Sequence, residues 1–379
     1  MKVLLRNLLF SGLAVIGTAQ AAIAPSYGVT DLGNFFATGV NDSGWVTGYD
    51  GRALLWQPGT GVTVLATTPG ASPRANAINN LGEVAGFAWS ATHGAYRAVL
   101  WQPGGSMIDL GDLPNGGNSS RAYAINHSGL VAGQASGQFI SHPGYGNQSF
   151  VHAASFTTAG GALDLEPPAD ATQNSVARGI NETGTIVGER QTADGARAVV
   201  WGSDGATINL GAAWGMGGIG ANSNSFAHDI NNAGLVALQL PLGGGEFTAA
   251  VWNAMTGFTP IDRLPGASTA TANALNDDGV VVGTAGVFGV SGTKAFAWSV
   301  DDGLVDLTLQ LDPVLGAGWS ILDATGISEN GYIVGRAYST TLGYRAVLLA
   351  PVPEPANLLL MAVGLAVVLA RTTRRRLTK

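Results

Sequence analysis

One pattern of apolar and polar positions recurs along most of this 379-residue chain. An aliphatic residue is followed by Asn, two variable residues and Gly, and then by a second aliphatic residue and a second Gly at alternate positions. Asn at the first turn position and Gly at the fourth suit a type I turn, since Gly is free to take positive φ. The pattern therefore predicts a tight hairpin between the first two strands of a repeat. Seven copies begin at Val40, Ile78, Ile125, Ile180, Ile230, Leu275 and Ile327, and the last has Ser328 in place of Asn.

A third strand is predicted by an Ala-x-x-Trp pattern after most copies. Five of the nine Trp residues share this position, which indicates packing between repeats and not ligand contact. They are Trp56, Trp101, Trp201, Trp252 and Trp298, and Ala153–Phe156 has Phe in the same place. A short fourth strand is predicted to end near Asp109-Leu110-Gly111 and its counterparts at Asn209 and Asp306.

Four strands in each of seven repeats predict an all-β fold, a seven-bladed β-propeller with four-stranded antiparallel blades. The intervals between successive copies are 38, 47, 55, 50, 45 and 52 residues, close to the length of a blade. Residues 27–33 look like a fourth strand without its first three, and residues 344–349 like a third strand without its fourth. We expect these two segments to pair and close the last blade. A linear β-solenoid is the alternative.

The first residues indicate export. Lys2 and Arg6 precede an apolar run over residues 8–16, and Ala19-Gln20-Ala21 forms a small-x-small cleavage site for signal peptidase. Residues 22–24 offer a second site, and a buried helix is the alternative interpretation. We therefore predict a signal peptide over residues 1–21 and a repeat domain over residues 25–350.

The last residues contain a short apolar run, 356–370, followed by four arginines. Fifteen residues rise about 22 Å as a helix, less than the roughly 30 Å of a bilayer core, but flanking arginines and local thinning can absorb the difference. The positive-inside rule places the arginines in the cytoplasm and the repeats outside, in agreement with an N-terminal export signal. The run predicts one transmembrane helix; a core helix is the alternative.

Three features of residues 352–379 resemble the PEP-CTERM sorting signal: Pro353-Glu354-Pro355, the apolar run, and Arg374-Arg375-Arg376. That family belongs to Gram-negative bacteria that make exopolysaccharide. The resemblance implies that an exosortase-type membrane protease recognises Pro353, Glu354 and Pro355 and cuts near them. It further implies transient anchoring in the inner membrane, followed by transfer to the cell surface or extracellular matrix.

The repeats also resemble the HAF repeat of bacterial extracellular proteins over nearly all of residues 27–349. The match is to the Ile-Asn-x-x-Gly-x-Val-x-Gly core and the Ala-rich strand that follows. The His-Ala-Phe triplet is nowhere intact, although Val151-His152-Ala153 and Lys294-Ala295-Phe296 keep parts of it. The family implies no established activity.

Charge and composition exclude some functions. The chain has 18 basic and 25 acidic residues, for a net charge of −7; because seven of the basic residues lie before residue 22 or after residue 355, the span between carries about −14. A domain this acidic repels phosphate backbones, so we expect no nucleic-acid partner. Cysteine is absent, which excludes disulfides and thiol chemistry.

Neither a cofactor nor a metal site is predicted. Asn41-Asp42-Ser43-Gly44 and Asn276-Asp277-Asp278-Gly279 resemble fragments of calcium loops, but the further ligands that such a loop needs do not follow. Turn formation by Asn is the simpler explanation. The five histidines lack metal-ligand spacing. No nucleophile elbow and no phosphate loop are present.

The connections between repeats indicate where a ligand would bind. Connections on the face of the Asn turns are short and alike, whereas those on the opposite face vary, as in residues 134–149, 167–172, 212–225 and 311–320. Variable loops on a rigid scaffold are typical of a binding face. Its aromatic candidates, suited to stacking on the sugar rings of an exopolysaccharide, are Trp89, His142, Tyr145, Trp214 and Trp319. Anchoring of the loops into the sheets is the alternative role for these residues.

The sequence thus predicts a non-enzymatic, exported envelope or biofilm-matrix protein. Its rival is a glycan-active hydrolase or lyase. A hydrolase would need two carboxylates about 5–10 Å apart on the variable face. Asp170 and Asp312 are the candidates that the sequence offers for such a pair.

Overall fold

A computed structural model describes residue 23 and residues 26–352, apart from residues 69, 115, 143–145, 160, 167–172, 214–223 and 287–291. The predicted signal peptide and sorting segment, with Ala19, Ala21, Pro353–Pro355 and Arg374–Arg376, lie outside the described residues. No helix among the described residues combines the length and the apolar character needed to cross a bilayer. The predicted span 356–370 is outside that part of the chain.

More than half of the described chain is β-strand. The first half comprises β1 (Tyr27–Gly33), β2 (Phe36–Val40), β3 (Val46–Tyr49), β4 (Ala53–Gln57), β5 (Gly61–Val64), β6 (Arg74–Ile78), β7 (Val84–Ser90), β8 (Ala95–Trp101), β9 (Met107–Asp109), β10 (Ser120–Ile125), β11 (Val131–His142), β12 (Gly146–Thr157) and β13 (Gly161–Asp164). The second half comprises β14 (Ser175–Ile180), β15 (Ile186–Thr192), β16 (Gly195–Trp201), β17 (Thr207–Asn209), β18 (Phe226–Ile230), β19 (Val236–Gly243), β20 (Glu246–Asn253), β21 (Gly257–Pro260), β22 (Thr269–Leu275), β23 (Val281–Gly286), β24 (Thr293–Ser299), β25 (Gly303–Asp306), β26 (Trp319–Ile327), β27 (Ile333–Ser339) and β28 (Gly343–Pro351). A one-turn α-helix, Leu210–Ala213, follows β17, and a 3-10 helix, Leu307–Gln310, follows β25.

The strands form four-stranded antiparallel meanders, in which each strand pairs with the next along the chain. Five of the six sheets are single meanders. The sixth has eight strands because the meanders β18–β21 and β22–β25 touch at one parallel pair, Phe247 and Thr269. We number the meanders from one, β2–β5, to six, β22–β25, and call β26–β28 with β1 the seventh.

The two ends of the described chain meet in the seventh meander. β1 pairs antiparallel with β28, from Tyr27 opposite Pro351 to Gly33 opposite Ala346. The sheet order is β1, β28, β27, β26, so the N-terminal strand covers the edge of the last repeat. This confirms the predicted pairing of residues 27–33 with residues 344–349.

The apolar core lies between successive meanders. Within the described residues it divides into seven clusters, each built from two neighbours, and one cluster joins the seventh meander to the first through Val334, Leu348, Val46 and Leu54. Trp101 and Trp201 are buried, and Trp56, Trp252 and Trp298 pack partly buried against such clusters. The prediction that the repeated Trp packs between units is confirmed, and Phe156 is buried in the same role.

One predicted connection is largely strand. Residues 134–149 were expected to be a variable loop, but β11 and β12 pair as far as His142 opposite Gly146. The alternation Gln134-Ala135-Ser136 continues the strand pattern, and a register shift between Ser136 and Phe139 lets the ladder resume. The hairpin is therefore longer than its counterparts.

Candidate functional site

The Asn turns form a closed hydrogen-bonded ring at one end of the meanders. In each turn the Asn side chain caps its own hairpin, as Asn41 does by accepting from the backbone N–H of Ser43 and Trp45. Its amide then donates to the backbone carbonyl of the equivalent residue in the next meander. These links run from Asn41 to Asn79, Asn126, Asn181, Asn231, Asn276 and Ser328, at 3.0–3.5 Å. These Asn residues therefore form the turns, as expected, and also link each meander to the next by a side-chain hydrogen bond.

The seventh turn has Ser328 where the others have Asn, and a different residue completes the ring. Asn330, two positions later, donates from its side chain to the carbonyl of Asp42 at 3.0 Å. The backbone N–H of Glu329 donates to the Asp42 carboxylate at 2.8 Å. The ring therefore closes between the last and first repeats.

The residues that directly follow these Asn residues and Ser328 form a second set around the same end. We call this set the mouth ring. Its members are Asp42, Asn80, His127, Glu182, Asn232, Asp277 and Glu329. In six of the seven members the backbone N–H donates to the side chain of the next member, as from His127 to Glu182 and from Asp277 to Glu329, both at 2.8 Å. Asn80 makes no such bond to His127 among the described residues. Four carboxylates therefore surround this end of the central opening.

The first strands of all seven meanders line a central cavity of about 510 Å³. Each of these strands carries a β-bulge, at which the pairing with the second strand shifts register. The seven bulge residues line the cavity: Thr38, Asn76, Tyr123, Arg178, His228, Asn273 and Thr325. A bulge redirects one side chain out of the alternation, and here it places one polar side chain of each meander in the cavity.

Four of the seven bulge residues have a structural role. Thr38, Asn76, Asn273 and Thr325 each donate to the carbonyl of an Ala in the next meander, at 2.7–3.1 Å. Tyr123, Arg178 and His228, which follow one another around the ring, make no such link among the described residues. Arg178 instead donates Nε and Nη2 to the Glu189 carboxylate at 2.6 and 2.5 Å.

The fifth meander departs from the repeat at two further positions. The residue after the bulge is Gly or Ala in the other six but Asp229 here. On the second strand, six meanders have Gly, because a Cβ would collide with the first strand; at Gly86 it would lie 2.0 Å from the Arg74 carbonyl oxygen. The fifth has Leu238 instead, fully buried. A regular pattern broken at neighbouring positions is typical of a functional site.

The cavity shifts the acid–base behaviour of its titratable groups. The pKa of Asp229 is raised to about 7, chiefly because burial disfavours its charge, although Leu275 and Ile230 N–H groups oppose the shift. Burial lowers the pKa of His228 to about 3, and Arg178 adds to the effect. The imidazole is therefore neutral at physiological pH, and the buried Nε2 of His228 has no hydrogen-bond partner among the described residues.

At the mouth, the pKa of Glu329 is raised to about 7. Partial removal from water is the largest cause, and the like charges of Asp277, Asp42 and Asp278 add to it. We give the name channel arc to four residues of the cavity wall: Tyr123, Arg178, His228 and Asp229. The same cavity is lined by three residues of the mouth ring, Glu182, Asp277 and Glu329. The cavity combines hydrogen-bonding groups with negative charge.

Exposed aromatic side chains lie at the opposite end of the meanders, where second strands meet third strands. They form three aromatic clusters in the seventh, first and second meanders, which are consecutive around the ring. Tyr338 and Tyr344 meet at 5.4 Å, Phe36 stacks on Tyr49 at 5.2 Å, and Trp89 and Phe87 each meet Tyr96 at 5.4 Å. Arginines hold each cluster: Arg336 lies over Tyr344, Arg74 over Tyr49 and Arg121 over Tyr96.

These aromatic rings remain available to a ligand. Tyr344 is 61% exposed, Phe36 54%, Tyr338 41% and Trp89 39%. Since a guanidinium on one face restrains a ring by cation–π attraction, the clusters are preorganised and not loose surface side chains. Of the two sequence candidates whose side chains the structure describes, Trp89 lies among them and Trp319 does not.

Trp319, the other predicted ligand residue whose side chain the structure describes, does not belong to the aromatic clusters. Trp319 begins β26 and packs partly buried against a core cluster, the contact expected of the alternative anchoring role. Tyr145, Trp214 and the side chain of His142 lie outside the described residues. Asp312 is also structural, because the N–H groups of Val314 and Leu315 donate to its carboxylate and lower its pKa. Asp170 lies outside the described residues.

The calcium-like fragments and two of the histidines, His93 and His152, are engaged in local bonds. Asn276 accepts from the N–H of Val280, and Asp277 belongs to the mouth ring. His152 pairs with Asp164 at 2.8 Å, and His93 bonds Ser90 at 3.0 Å. Within the described residues no group of three or more potential ligands could hold a metal ion.

The channel arc and most aromatic clusters were missed from the sequence. The signal for the arc was present: Tyr123, Arg178 and His228 precede the turn motif by two or three residues, at a position that is Thr or Asn in other repeats. Asp229 also stands where other repeats have Gly or Ala. Alignment of the repeats on Ile-Asn would have shown both departures.

Comparison with known proteins gives information on the fold only. No protein-family model matches the chain, and neither does any curated protein. Among solved structures, a prolyl endopeptidase superposes with a TM-score of 0.53 at 12% identity, covering 88% of this chain and 51% of that chain. An oligogalacturonate lyase in complex with manganese gives 0.47 at 12%, covering 86% of this chain and 91% of the lyase. TolB from Acinetobacter baumannii gives 0.39 at 10%, covering 87% and 81%.

At such identities only the architecture is shared. The strand order, the meanders and the likeness to the prolyl endopeptidase define a β-propeller fold. The chain spans about half the length of the prolyl endopeptidase that it matches.

Proposed function

We propose that the seven meanders are the seven blades of one closed propeller. Support comes from the Asn ring, which passes through seven turns and returns through Asn330 to Asp42. The seven core clusters follow the same circuit, including the one between the seventh and first meanders. The eight-stranded sheet is then two blades in contact at a single residue pair.

We also propose that the protein is exported and sorted at its C-terminus. The support is the sequence of the two ends: a signal peptide over residues 1–21 and a sorting segment over residues 352–379. Signal peptidase and an exosortase-type protease are the processing partners, and the membrane is a transient anchor. The mature protein is then a component of the envelope or biofilm matrix of a Gram-negative bacterium.

The propeller is, in this proposal, a non-enzymatic module that binds extracellular polysaccharide. The observation that carries it is the set of three aromatic clusters in consecutive meanders, exposed at one end and held by arginines. Sugars present apolar C–H faces to aromatic rings, and several platforms at one end of a rigid scaffold suit an extended chain.

Co-sedimentation with insoluble polysaccharide tests this function. Cellulose, chitin and the matrix polysaccharide of the producing cells are the probes. We expect at least one to bind, and Trp89→Ala or Tyr344→Ala to weaken that binding at least about tenfold. Met255→Ala is the control, because Met255 is exposed and apolar but lies in the connection between β20 and β21, away from the clusters. Binding that neither aromatic substitution affects would contradict the proposal.

A glycan hydrolase is the second candidate, and the cavity gives a reason to test it. Asp229 and Glu329, each with a pKa near 7, share the cavity with Glu182 and Asp277. A protonated and an ionised carboxyl group are what glycoside hydrolysis requires. Release of reducing ends from the bound polysaccharide, abolished by Asp229→Asn or Glu329→Gln, would favour the hydrolase over the binding module.

A further inference from the structure

We propose that the channel arc binds an amino sugar, a ring that carries a protonated amine beside hydroxyl groups. This site lies in the cavity, apart from the aromatic clusters, and goes beyond the proposed binding of polysaccharide. It stands whether or not the clusters bind a glycan.

The cavity has room and shape for a small ligand. Its volume of about 510 Å³ lies within the range of ordinary small-molecule pockets. The first strands that enclose it are fixed to one another by the Asn ring and by four of the bulge residues. The walls are therefore rigid, and a ligand would meet a preformed site.

The arc is the part of the wall whose bulge residues, Tyr123, Arg178 and His228, make no hydrogen bond to the next meander among the described residues. Elsewhere in the ring the bulge residue bridges to the next meander, as Asn76 does to the carbonyl of Ala122 at 2.7 Å. The Tyr123 hydroxyl and Nη1 of Arg178 make no hydrogen bond within the described chain, and Nε2 of His228 is buried without a partner. A buried polar atom without a partner is costly, so a ligand that bonds Nε2 of His228 gains affinity there. Tyr123 and Arg178 are partly exposed, and their free polar atoms are open to the same ligand.

The charges of the cavity select a cation. Glu189 neutralises Arg178 through a bidentate ion pair. Asp229 has no basic partner among the described residues, and neither do Glu182, Asp277 and Glu329 at the mouth. A carboxylate held away from water without a counter-ion favours a ligand that brings one. A protonated amine supplies that charge beside Asp229.

The remaining arc groups suit hydroxyls. Tyr123 and the neutral imidazole of His228 can each donate or accept, and Nη1 of Arg178 donates. None of them adds a net charge that would favour an acidic sugar. A sugar ring with one amine therefore suits both Asp229, which pairs with the amine, and the other arc groups, which bond the hydroxyls. The carboxylate of a uronic acid would be repelled by the carboxylates of the mouth ring.

Calorimetric titration of the full-length chain tests the site at pH 7, where a pKa of about 7 leaves about half of Asp229 ionised in the free protein. The probes are glucosamine, N-acetylglucosamine and glucuronate. Glucosamine and its N-acetyl derivative share a ring and differ in the charge of the amine. We expect glucosamine to bind at least about tenfold more tightly than either of the others. Asp229→Asn and Tyr123→Phe should each weaken glucosamine binding at least about fivefold.

Controls separate this site from the rest of the protein. Asp194→Asn removes the same charge from the exposed connection between β15 and β16 and should leave glucosamine binding unchanged. Trp89→Ala should also leave it unchanged, whatever its effect on polysaccharide. Tyr123→Phe retains the ring and serves if Asp229→Asn fails to fold, which circular dichroism reports. Equal binding of glucosamine and N-acetylglucosamine, no glucosamine binding, or glucosamine binding untouched by Tyr123→Phe would overturn the proposal.

Discussion

The side-chain amide of Asn330 donates a hydrogen bond of 3.0 Å to the backbone carbonyl of Asp42, a residue 288 positions earlier in the chain. Six other meanders make the equivalent link from the first Asn of the turn. Here that position is Ser328, whose hydroxyl accepts from the N–H of Tyr332 but is too short to reach the neighbour. In the seventh turn the side-chain amide that links two meanders therefore belongs to Asn330, two residues after the position that supplies it in the other turns.

We expect Asn330→Ala to lower the free energy of unfolding by about 1 kcal/mol, the usual contribution of one such hydrogen bond. Ser328→Asn should restore the link by the route used in the other repeats. The double variant Ser328→Asn/Asn330→Ala should therefore be closer to the wild type than Asn330→Ala alone. Urea denaturation measures all three, and strictly additive effects would contradict the exchange of roles.

Tyr27 anchors the strand that closes the sheet. Its side chain is 1% exposed within the core cluster of the sixth and seventh meanders. Tyr27→Ala should destabilise the protein by about 3–5 kcal/mol, as for other buried aromatic residues. Thr30→Ala, exposed on the same strand, is the matched control and should change stability by less than about 0.5 kcal/mol.

Removal of residues 25–33 should cost several kcal/mol, because it exposes the β28 edge as well as the core beneath Tyr27. Thermal denaturation of the truncated chain measures the effect. An unchanged melting temperature would show that the N-terminal strand is dispensable for the seventh meander.

The repeat pattern made much of the fold predictable. Isoleucine, Asn and Gly at fixed spacing specify a local turn, and a turn repeated seven times specifies seven hairpins. The Trp position was equally clear, because large apolar side chains at equivalent places must pack in equivalent ways. Closure followed from two incomplete halves, residues 27–33 and 344–349.

The channel arc could not be derived in this way. The bulge decides which side chain of a first strand points into the cavity. A bulge is a property of strand pairing, and the sequence of a single repeat does not reveal it. The ligand candidates were chosen instead for aromatic character outside the repeat. That choice selected Trp89, which lies in an aromatic cluster, and Trp319, which is partly buried. Phe36 and Tyr344 lie inside regular strands and were not selected.

Asp229 and His228 should make opposite contributions to the pH dependence of stability. The pKa of Asp229 is raised from 3.8 to about 7, so the folded state keeps a proton that the unfolded chain loses, and stability falls as the pH rises between these values. The pKa of His228 is lowered from 6.5 to about 3, so the unfolded chain binds a proton that the folded state does not. Stability from this group falls as the pH drops from 6.5 to 3. The two slopes oppose each other between about pH 4 and pH 6.5.

Substitution of either residue should reveal the slope of the other. Asp229→Asn should lose stability from pH 6.5 to pH 4 relative to the wild type, by at most about 1.4 kcal/mol per pH unit. His228→Gln should gain stability over the same range. Glu329, Asp277 and Arg178 also face the cavity but are present in all three proteins, so the differences isolate the pair. Parallel urea-denaturation profiles at pH 4, 5, 6 and 7 would contradict the opposing slopes.

Arg178 and Glu189 form a pair in which neither member is replaceable alone. Glu189 is buried, and Arg178 donates two bonds to it. Arg178→Met should destabilise the protein by about 3 kcal/mol because it leaves a buried carboxylate unpaired. Arg178→Met/Glu189→Met should recover most of that loss. A double variant as unstable as the single one, by chemical denaturation, would show that the ion pair itself stabilises the fold.

The sorting proposal predicts the fate of the C-terminal segment. Replacement of Pro353 and Pro355 by Ala should stop processing, because in this proposal they belong to the site that the protease recognises, and Pro favours an extended backbone that suits protease access. The uncut protein should then remain attached to the membrane. Replacement of Arg374–Arg376 by Gln should disturb orientation and leave the propeller intact. Mass spectrometry of the surface-released protein decides: a mature chain that still contains Arg371–Lys379 would rule out cleavage near Pro353.

The place of β28 in its sheet has a mechanical consequence. β28 lies between β1 and β27 and continues directly into Val352, whose N–H bonds the carbonyl of Ser26 at the start of the chain. Tension applied to the C-terminal end would act along an interior strand and load two antiparallel ladders at once in shear. An edge strand would instead peel away one hydrogen bond at a time. The strand that leads into residues 353–379 is thus placed to resist mechanical force applied at that end.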